Sequence, residues 1–531
     1  MIKGYLYTII LLAAVLLAGC GGIAPKDDSN AGNMSAEEAA MTESTPSPVE
    51  EALMSETPLA EIQVKDFSAG VSVHDPSIVT GEDGKYYIFG SNMEAAVSED
   101  LHSWKSVASG VNSANPLFTN LFEPDFEAFS FVGKNEEGWY SVWAPDVVYN
   151  EAMGKYVMYF CTTSSYIKSN ICFAVSDSIE GPYEYVDTIL YSGYQQTELS
   201  ATNLLEILPE EEDPEKYAYA GIGYQNKRWP NCIDPTVFYD AEGKMWMVYG
   251  SWSGGIFLLE IDEETGYPIH PETDEEKDVD SYYGRRLLGG SHRAIEGPYI
   301  LYDEVSEYYY LFVSYGSLTR EGGYQIRIFR SESVEGPYTD ASGEQWQDEA
   351  AYAVYGVKLM GNYKLPSNEV AYMAPGHCSA FTDKDGKMYV VYHTRFDAGT
   401  EYHEPRVHQL FTTESGWLAA APFATSGENL SEEGYSQVEM VGTWHMLNHG
   451  TSINSTINET EAVSFDKTGA SSENPAISLQ VQEGTCYATV TVEDVEYEGV
   501  IVDMIDEAGN DTRCITAVGS NNRTVWLVHY K

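Results

Sequence analysis

Gly84-Lys85-Tyr86-Tyr87-Ile88-Phe89 sets a pattern that the chain repeats: a tight turn, then a run of alternating aromatic and aliphatic residues. It returns as Gly154-Lys155-Tyr156-Val157-Met158-Tyr159, Gly243-Lys244-Met245-Trp246-Met247-Val248-Tyr249, Glu307-Tyr308-Tyr309-Tyr310-Leu311-Phe312 and Gly386-Lys387-Met388-Tyr389-Val390-Val391-Tyr392. Each copy reads as a β-strand entered from a turn. The copies lie 64 to 89 residues apart, room for a four-stranded sheet and its loops. Five such units imply five blades around an axis, a β-propeller. No segment sustains a helical period, so the expected class is all-β. The repeats stop near Ala421-Pro422-Phe423. Strand-like runs such as Val441-Gly442-Thr443-Trp444 and Ala488-Thr489-Val490-Thr491-Val492 predict a smaller C-terminal β-domain, a barrel or a sandwich. The expected organisation is a propeller over 61–428 and a second domain over 429–531.

Upstream of each turn sits a short strand with a polar head: His74-Asp75-Pro76-Ser77, Ala144-Pro145-Asp146-Val147, Ile233-Asp234-Pro235-Thr236, Ile295-Glu296-Gly297-Pro298 and Pro375-Gly376-His377-Cys378. The first strand of a propeller blade lines the central channel. Residues far apart in sequence are therefore expected to face one another across it. One Asp-Pro is only a turn signal; five heads in register with five turns carry information.

The chain has 29 Lys+Arg against 82 Asp+Glu, a net charge of −53. Such a surface repels nucleic acid and anionic lipid headgroups, both of which need clustered cations, but not a neutral polymer. Residues 1–19 read as an export signal: Lys3 supplies the positive end and Tyr7 to Leu17 the apolar run, which is short for a membrane span. Leu17-Ala18-Gly19-Cys20 resembles a bacterial lipobox and makes Cys20 the lipidation site. The expected location is the cell envelope or surface, with the membrane reached only through this anchor. Residues 20–60, rich in Ser, Thr, Pro, Glu and Ala, read as an acidic disordered tether. An exported chain permits disulfides, with Cys161–Cys172 and Cys486–Cys514 as candidates, although buried free thiols are equally consistent. No Cys/His spacing suggests zinc.

Converging carboxyls suit glycoside hydrolysis, in which one group protonates the leaving oxygen and another activates water or attacks the sugar. A third carboxylate can hold the acid protonated, since like charges resist joint ionisation. A structural cation site is the competing reading. Here the chain resembles glycoside hydrolase family 43, and within it the two-domain endo-1,5-α-L-arabinanases. The resemblance covers roughly residues 70 to 425. It rests on the head motifs together with Asn231-Cys232-Ile233-Asp234-Pro235, Tyr249-Gly250-Ser251-Trp252-Ser253-Gly254-Gly255-Ile256, Tyr392-His393-Thr394-Arg395-Phe396 and Arg406-Val407-His408-Gln409.

That resemblance implies Asp75 as general base, Glu296 as general acid and Asp234 as the group that tunes and orients Glu296, in an inverting hydrolysis of arabinan needing no organic cofactor. It implies a hydrated Ca²⁺ ion near His377; a hydrogen-bonded core histidine is the other reading. Asn231, Cys232, Ile233, Ser251, Trp252 and Ser253 would contact sugar, and Asp146 is a further structural or binding carboxylate. Glu-Gly-Pro-Tyr occurs three times, but Glu180 and Glu335 close outer strands and only Glu296 occupies a head. An exo-acting arabinofuranosidase or β-xylosidase, or a silent sugar-binding propeller, stays open, because loop shape decides between groove and pocket. Trp444, His445 and His449 read as packing.

Overall fold

The strand that follows each repeated turn needs a partner on both sides, and the preceding head strand supplies one. In the computed structural model, which describes residues 61–165, 167–219, 223–347 and 352–531, the repeats form the second strands of five antiparallel blades. These are Tyr86–Gly90, Lys155–Thr163, Met245–Tyr249, Tyr308–Tyr315 and Met388–Phe396. They pair with the inner strands Ser77–Thr80, Ser141–Asn150, Thr236–Tyr239, Ile295–Asp303 and Tyr372–Thr382. Each inner strand touches the next, and Tyr372–Thr382 returns to Ser77–Thr80 to close the ring. Among the described residues, α-helix is confined to Leu204–Ile207.

The turns show why glycine recurs. Gly84, Gly154, Gly243 and Gly386 have φ of 76°, 62°, 83° and 78°, a left-handed conformation that glycine adopts without steric cost. In the fourth copy Glu307 takes that place at φ 57°. The repeat is therefore conformational first and chemical second.

The C-terminal sheet has seven strands: Gly442–Asn448, Glu461–Phe465, Ile477–Val481, Tyr487–Val492, Val495–Ile505, Asp511–Gly519 and Thr524–Tyr530. Its two edges approach through single bridges, Phe465 to Ser471 and Ala470 to Ser478. The result is a nearly closed barrel, which selects between the two expected forms. Trp444 is buried within it, and His449 is buried in the seam with the propeller, where it accepts from the Gly361 N–H and packs on Tyr363. The propeller and barrel share apolar core: Tyr363, Tyr372 and Tyr392 pack with Val500, Trp526 and Val528. Asn458–Glu459 also pairs in parallel with Tyr363–Lys364.

All six cysteines among the described residues are free. Cys161 pairs with Ile171 and Cys172 with Phe160, so the two thiols leave opposite faces of their hairpin. Cys486 precedes Tyr487–Val492, which is separated from the strand carrying Cys514 by Val495–Ile505. Two strand spacings exceed what a disulfide can span. The expected export signal, Cys20 and the tether to residue 60 lie outside the described residues.

Candidate active site

Each head departs from regular strand geometry. Asp75 and Asp234 stand just before their inner strands with φ of 55° and 56°; Ala144 and His377 have φ of 38° and 45°. Pairing slips between Trp143 and Asp146, between Glu296 and Tyr299, and on both sides of Gly376. A left-handed non-glycine residue costs about 1–2 kcal/mol, and bulges of this kind redirect side chains. Here they turn polar groups toward the axis.

Asp75 is the hub. Its Oδ1 lies 2.7 Å from His74 Nδ1 and 3.1 Å from His377 Nδ1. Its Oδ2 accepts from Ser91 Oγ at 2.5 Å, and its backbone N–H donates to His393 Nδ1 at 3.2 Å. Burial alone would raise this carboxyl, but His377 and His74 beside it hold it well below the usual range. It is an ionised carboxylate at neutral pH.

Glu296 has the opposite setting. Its Oε2 accepts from Ser251 Oγ at 3.0 Å and from Trp252 Nε1 at 2.8 Å. Burial raises its pKa and the negative Asp75 adds to the rise, with His377, Tyr324 and Ser251 opposing. Asp234 accepts from the N–H of Gly297, the residue after Glu296, at 3.2 Å. Burial, with Glu296 and Asp75 nearby, lifts Asp234 to about 7, against the pull of His377. His377 rises to about 9: burial works against its charged form, but Asp75, Asp234 and Glu296 overcome it. Gly297 has to be glycine here, at φ 57°, because a Cβ would lie 2.9 Å from the His377 ring. One group strongly ionised and one held toward its neutral form is the division that acid–base chemistry needs.

These residues line a cleft of about 630 Å³ that includes His74, Asp75, Asp234, Glu296 and His377. A recess of about 270 Å³ adjoins it, sharing Trp143, Ile233 and Glu296. Asn231, Ile233, Ser251, Trp252 and Ser253 all line that recess, while Glu180 and Glu335 line neither. Cys232, expected to contribute by backbone or side chain, and Asp146, expected to be structural or binding, line neither cavity. Cys232 is fully buried in the apolar core of blades two and three, so its side chain is out of a ligand's reach. Asp146 is 3% exposed; it accepts from Ser77 Oγ and, at 2.6 Å, from the Val237 N–H. It ties the inner strands of blades one and three to blade two, and burial lifts its pKa to about 7. It is structural because its oxygens are spent on neighbouring strands.

Several site residues carried no assigned role in the sequence. Tyr324, buried after Gly322-Gly323, hydrogen-bonds Glu296. His393 stacks on His74 with centroids 3.9 Å apart. His74, Asp75 and His393 place ligand-type atoms within 4.8 Å of one another, but His393 Nδ1 is already an acceptor for the Asp75 N–H. Burial and the neighbouring His74 keep His393 neutral. Its position after Tyr392, at the end of a repeat strand, was the available signal.

Known proteins resemble this chain in sequence and in fold. Residues 215–418 match the model described as glycosyl hydrolases family 43, and 422–527 match one described as a C-terminal lipocalin-like domain. The extracellular endo-α-(1→5)-L-arabinanase 2 of Bacillus subtilis (strain 168) is 37% identical over 86% of this chain and 92% of its own. The extracellular endo-α-(1→5)-L-arabinanase of Thermotoga petrophila is 36% identical over 86% and 93%. Among solved structures, the family 43 YxiA protein of Bacillus licheniformis aligns with TM-score 0.76 and 35% identity, covering 88% of this chain and 99% of that one. The Thermotoga petrophila RKU-1 endo-1,5-α-L-arabinanase in complex with Tris aligns with TM-score 0.75 and 34% identity, over 88% and 100%.

Proposed function

This chain belongs to glycosyl hydrolase family 43, and from that premise we propose that it cleaves α-1,5-L-arabinofuranosyl linkages within arabinan by an inverting acid–base mechanism. The observation that carries the reading is the opposed ionisation of two carboxyls from different blades, Asp75 held low and Glu296 held high. Asp75 takes a proton from water as that water attacks the anomeric carbon. Glu296 gives its proton to the departing glycosidic oxygen. Asp234, bound to the backbone beside Glu296, orients the acid, and repulsion between the two carboxyls keeps a proton on the pair.

Endo action is supported by the way cleft and recess run together through shared residues, leaving room for sugar units on both sides of the bond to be cut. The relatives are named extracellular enzymes, which supports export of this chain. We extend that to lipid attachment at Cys20, with residues 21–60 as the tether to the envelope.

Calcium belongs to the same proposal. The three carboxylates that draw a proton onto His377 make a field that suits a hard divalent cation as well. Its Nδ1 is engaged by Asp75, so a Ca²⁺ ion would have to displace the proton on Nε2 to be held there. A bound Ca²⁺ would add positive charge close to the reacting centre.

The test is product analysis on linear arabinan, branched arabinan and xylan, with E296Q as control. Mixed oligomers from linear arabinan and a loss of about 10²–10⁴-fold in E296Q support the reading. Release of monomer alone, or unchanged hydrolysis by E296Q, refutes it.

A further inference from the structure

The segment 109–140, between blades one and two, shows more aromatic surface to solvent than a connection requires. Trp139 is 68% exposed and Phe122 49% exposed. The Trp139 backbone is pinned: its N–H donates to Asn135 Oδ1 at 2.9 Å, and its carbonyl accepts from the Asn135 N–H at 2.9 Å. Next in sequence, Tyr140 stacks on Phe129 at 4.3 Å and on Phe122 at 5.8 Å, with Lys134 Nζ 5.0 Å from its ring centre. The Trp139 backbone and the Tyr140 ring are thus both braced.

Trp139, Phe122, Tyr140, Lys134, Asn112 and Asn92 line a hollow of about 690 Å³. That hollow adjoins the catalytic cleft: Asn92 lines both, and Ser109 of the cleft is followed by Gly110 of the hollow. Exposed apolar surface gathered in one place marks a binding site more often than scattered residues do. Aromatic faces accept the C–H face of a sugar, while amide and ammonium groups reach its hydroxyls. A chain of net charge −53 disfavours an anionic polymer in the same place.

We propose that this hollow is an outer binding platform for further arabinofuranose units of the chain being cut, so that the enzyme favours long polymers over short oligomers. The proposal rests on the arabinan reading above. It commits Trp139 and Phe122 as the stacking surfaces and Lys134 as a hydroxyl partner, none of which lines the catalytic cleft.

The experiment compares wild type, W139A and the double variant W139A/F122A on arabinotriose and on linear arabinan, with melting curves as a folding control. Arabinotriose is the short probe, and its kcat/KM should stay within about twofold of wild type. KM on linear arabinan should rise about tenfold, the equivalent of about 1.4 kcal/mol of binding. Unchanged polymer kinetics, or equal losses on both substrates, overturns the platform. If wild type cleaves neither substrate, the arabinan reading fails instead. The platform is then judged by retardation of wild type, but not W139A, in native gels containing linear arabinan; no retardation of wild type overturns it too.

Discussion

Ser251→Ala isolates one contribution to the acid's ionisation. Ser251 Oγ donates to Glu296 Oε2 at 3.0 Å and is itself 4% exposed, so its loss admits little compensating solvent. A hydrogen bond to a charged acceptor contributes about 1.5–3 kcal/mol. Trp252 Nε1 continues to serve the same oxygen at 2.8 Å, which puts the effect at the low end, about 1.4 kcal/mol or one pH unit. The donor favours the carboxylate, so removing it raises the Glu296 pKa. Activity needs Glu296 protonated and falls as pH rises through that value. The alkaline limb of kcat/KM on linear arabinan should therefore move up by about one unit. The acid limb, set by Asp75, should stay. D234N supplies the opposite sign: removing a carboxyl that resists joint ionisation with Glu296 eases the acid's ionisation and moves the alkaline limb down. A Ser251→Ala limb that stays in place or moves to lower pH would refute the assignment of Glu296 as the acid.

Three further outcomes follow from the same structure. D146N should gain stability relative to wild type as pH rises. The folded Asp146 value of about 7 lies above the ordinary carboxyl, so this group's contribution is intact below about pH 4 and lost as pH climbs through 7, a change of about 3 kcal/mol between pH 5 and 8. Calorimetry at both pH values checks this; a melting difference that does not vary with pH contradicts it. Asn522→Ala should destabilise the chain by about 2–3 kcal/mol in denaturant titration, because Asn522 Nδ2 donates to Asp340 Oδ2 at 2.7 Å and to Val354 O at 3.0 Å, and its Oδ1 accepts from the Ala341 N–H at 3.0 Å. A loss below about 0.5 kcal/mol would mean that the barrel is not stapled to blade four through this residue. Millimolar CaCl₂ should raise the melting temperature of chelator-treated wild type but not of H377Q; equal shifts in both would place the ion elsewhere.

Much of the fold was legible because local rules repeat. A left-handed turn followed by alternating apolar residues is a backbone and solvation requirement, and it appears in the chain wherever a blade begins. The heads were legible as positions for the same reason. Their roles were less so: Asp146 pairs with Tyr159 in the place that Thr236, not Asp234, takes opposite Val248. Asp146 spends its oxygens on Ser77 and Val237, whereas Asp234 faces Glu296, Asp75 and His377.

What the order of amino acids determined by itself was periodicity: strand, turn, blade number, the offset of each polar head and the charge that excludes polyanions. What only the folded chain decided was neighbourhood. Tyr324 meets Glu296, His393 receives the Asp75 N–H, Cys232 sinks into the core and Cys161 turns away from Cys172, because each of these depends on which side chains from distant segments share a face or an axis. Ionisation belongs to that second group, since a carboxyl's proton affinity is set by nearby charge and the depth of burial, and neither is a property of the residues adjacent in sequence.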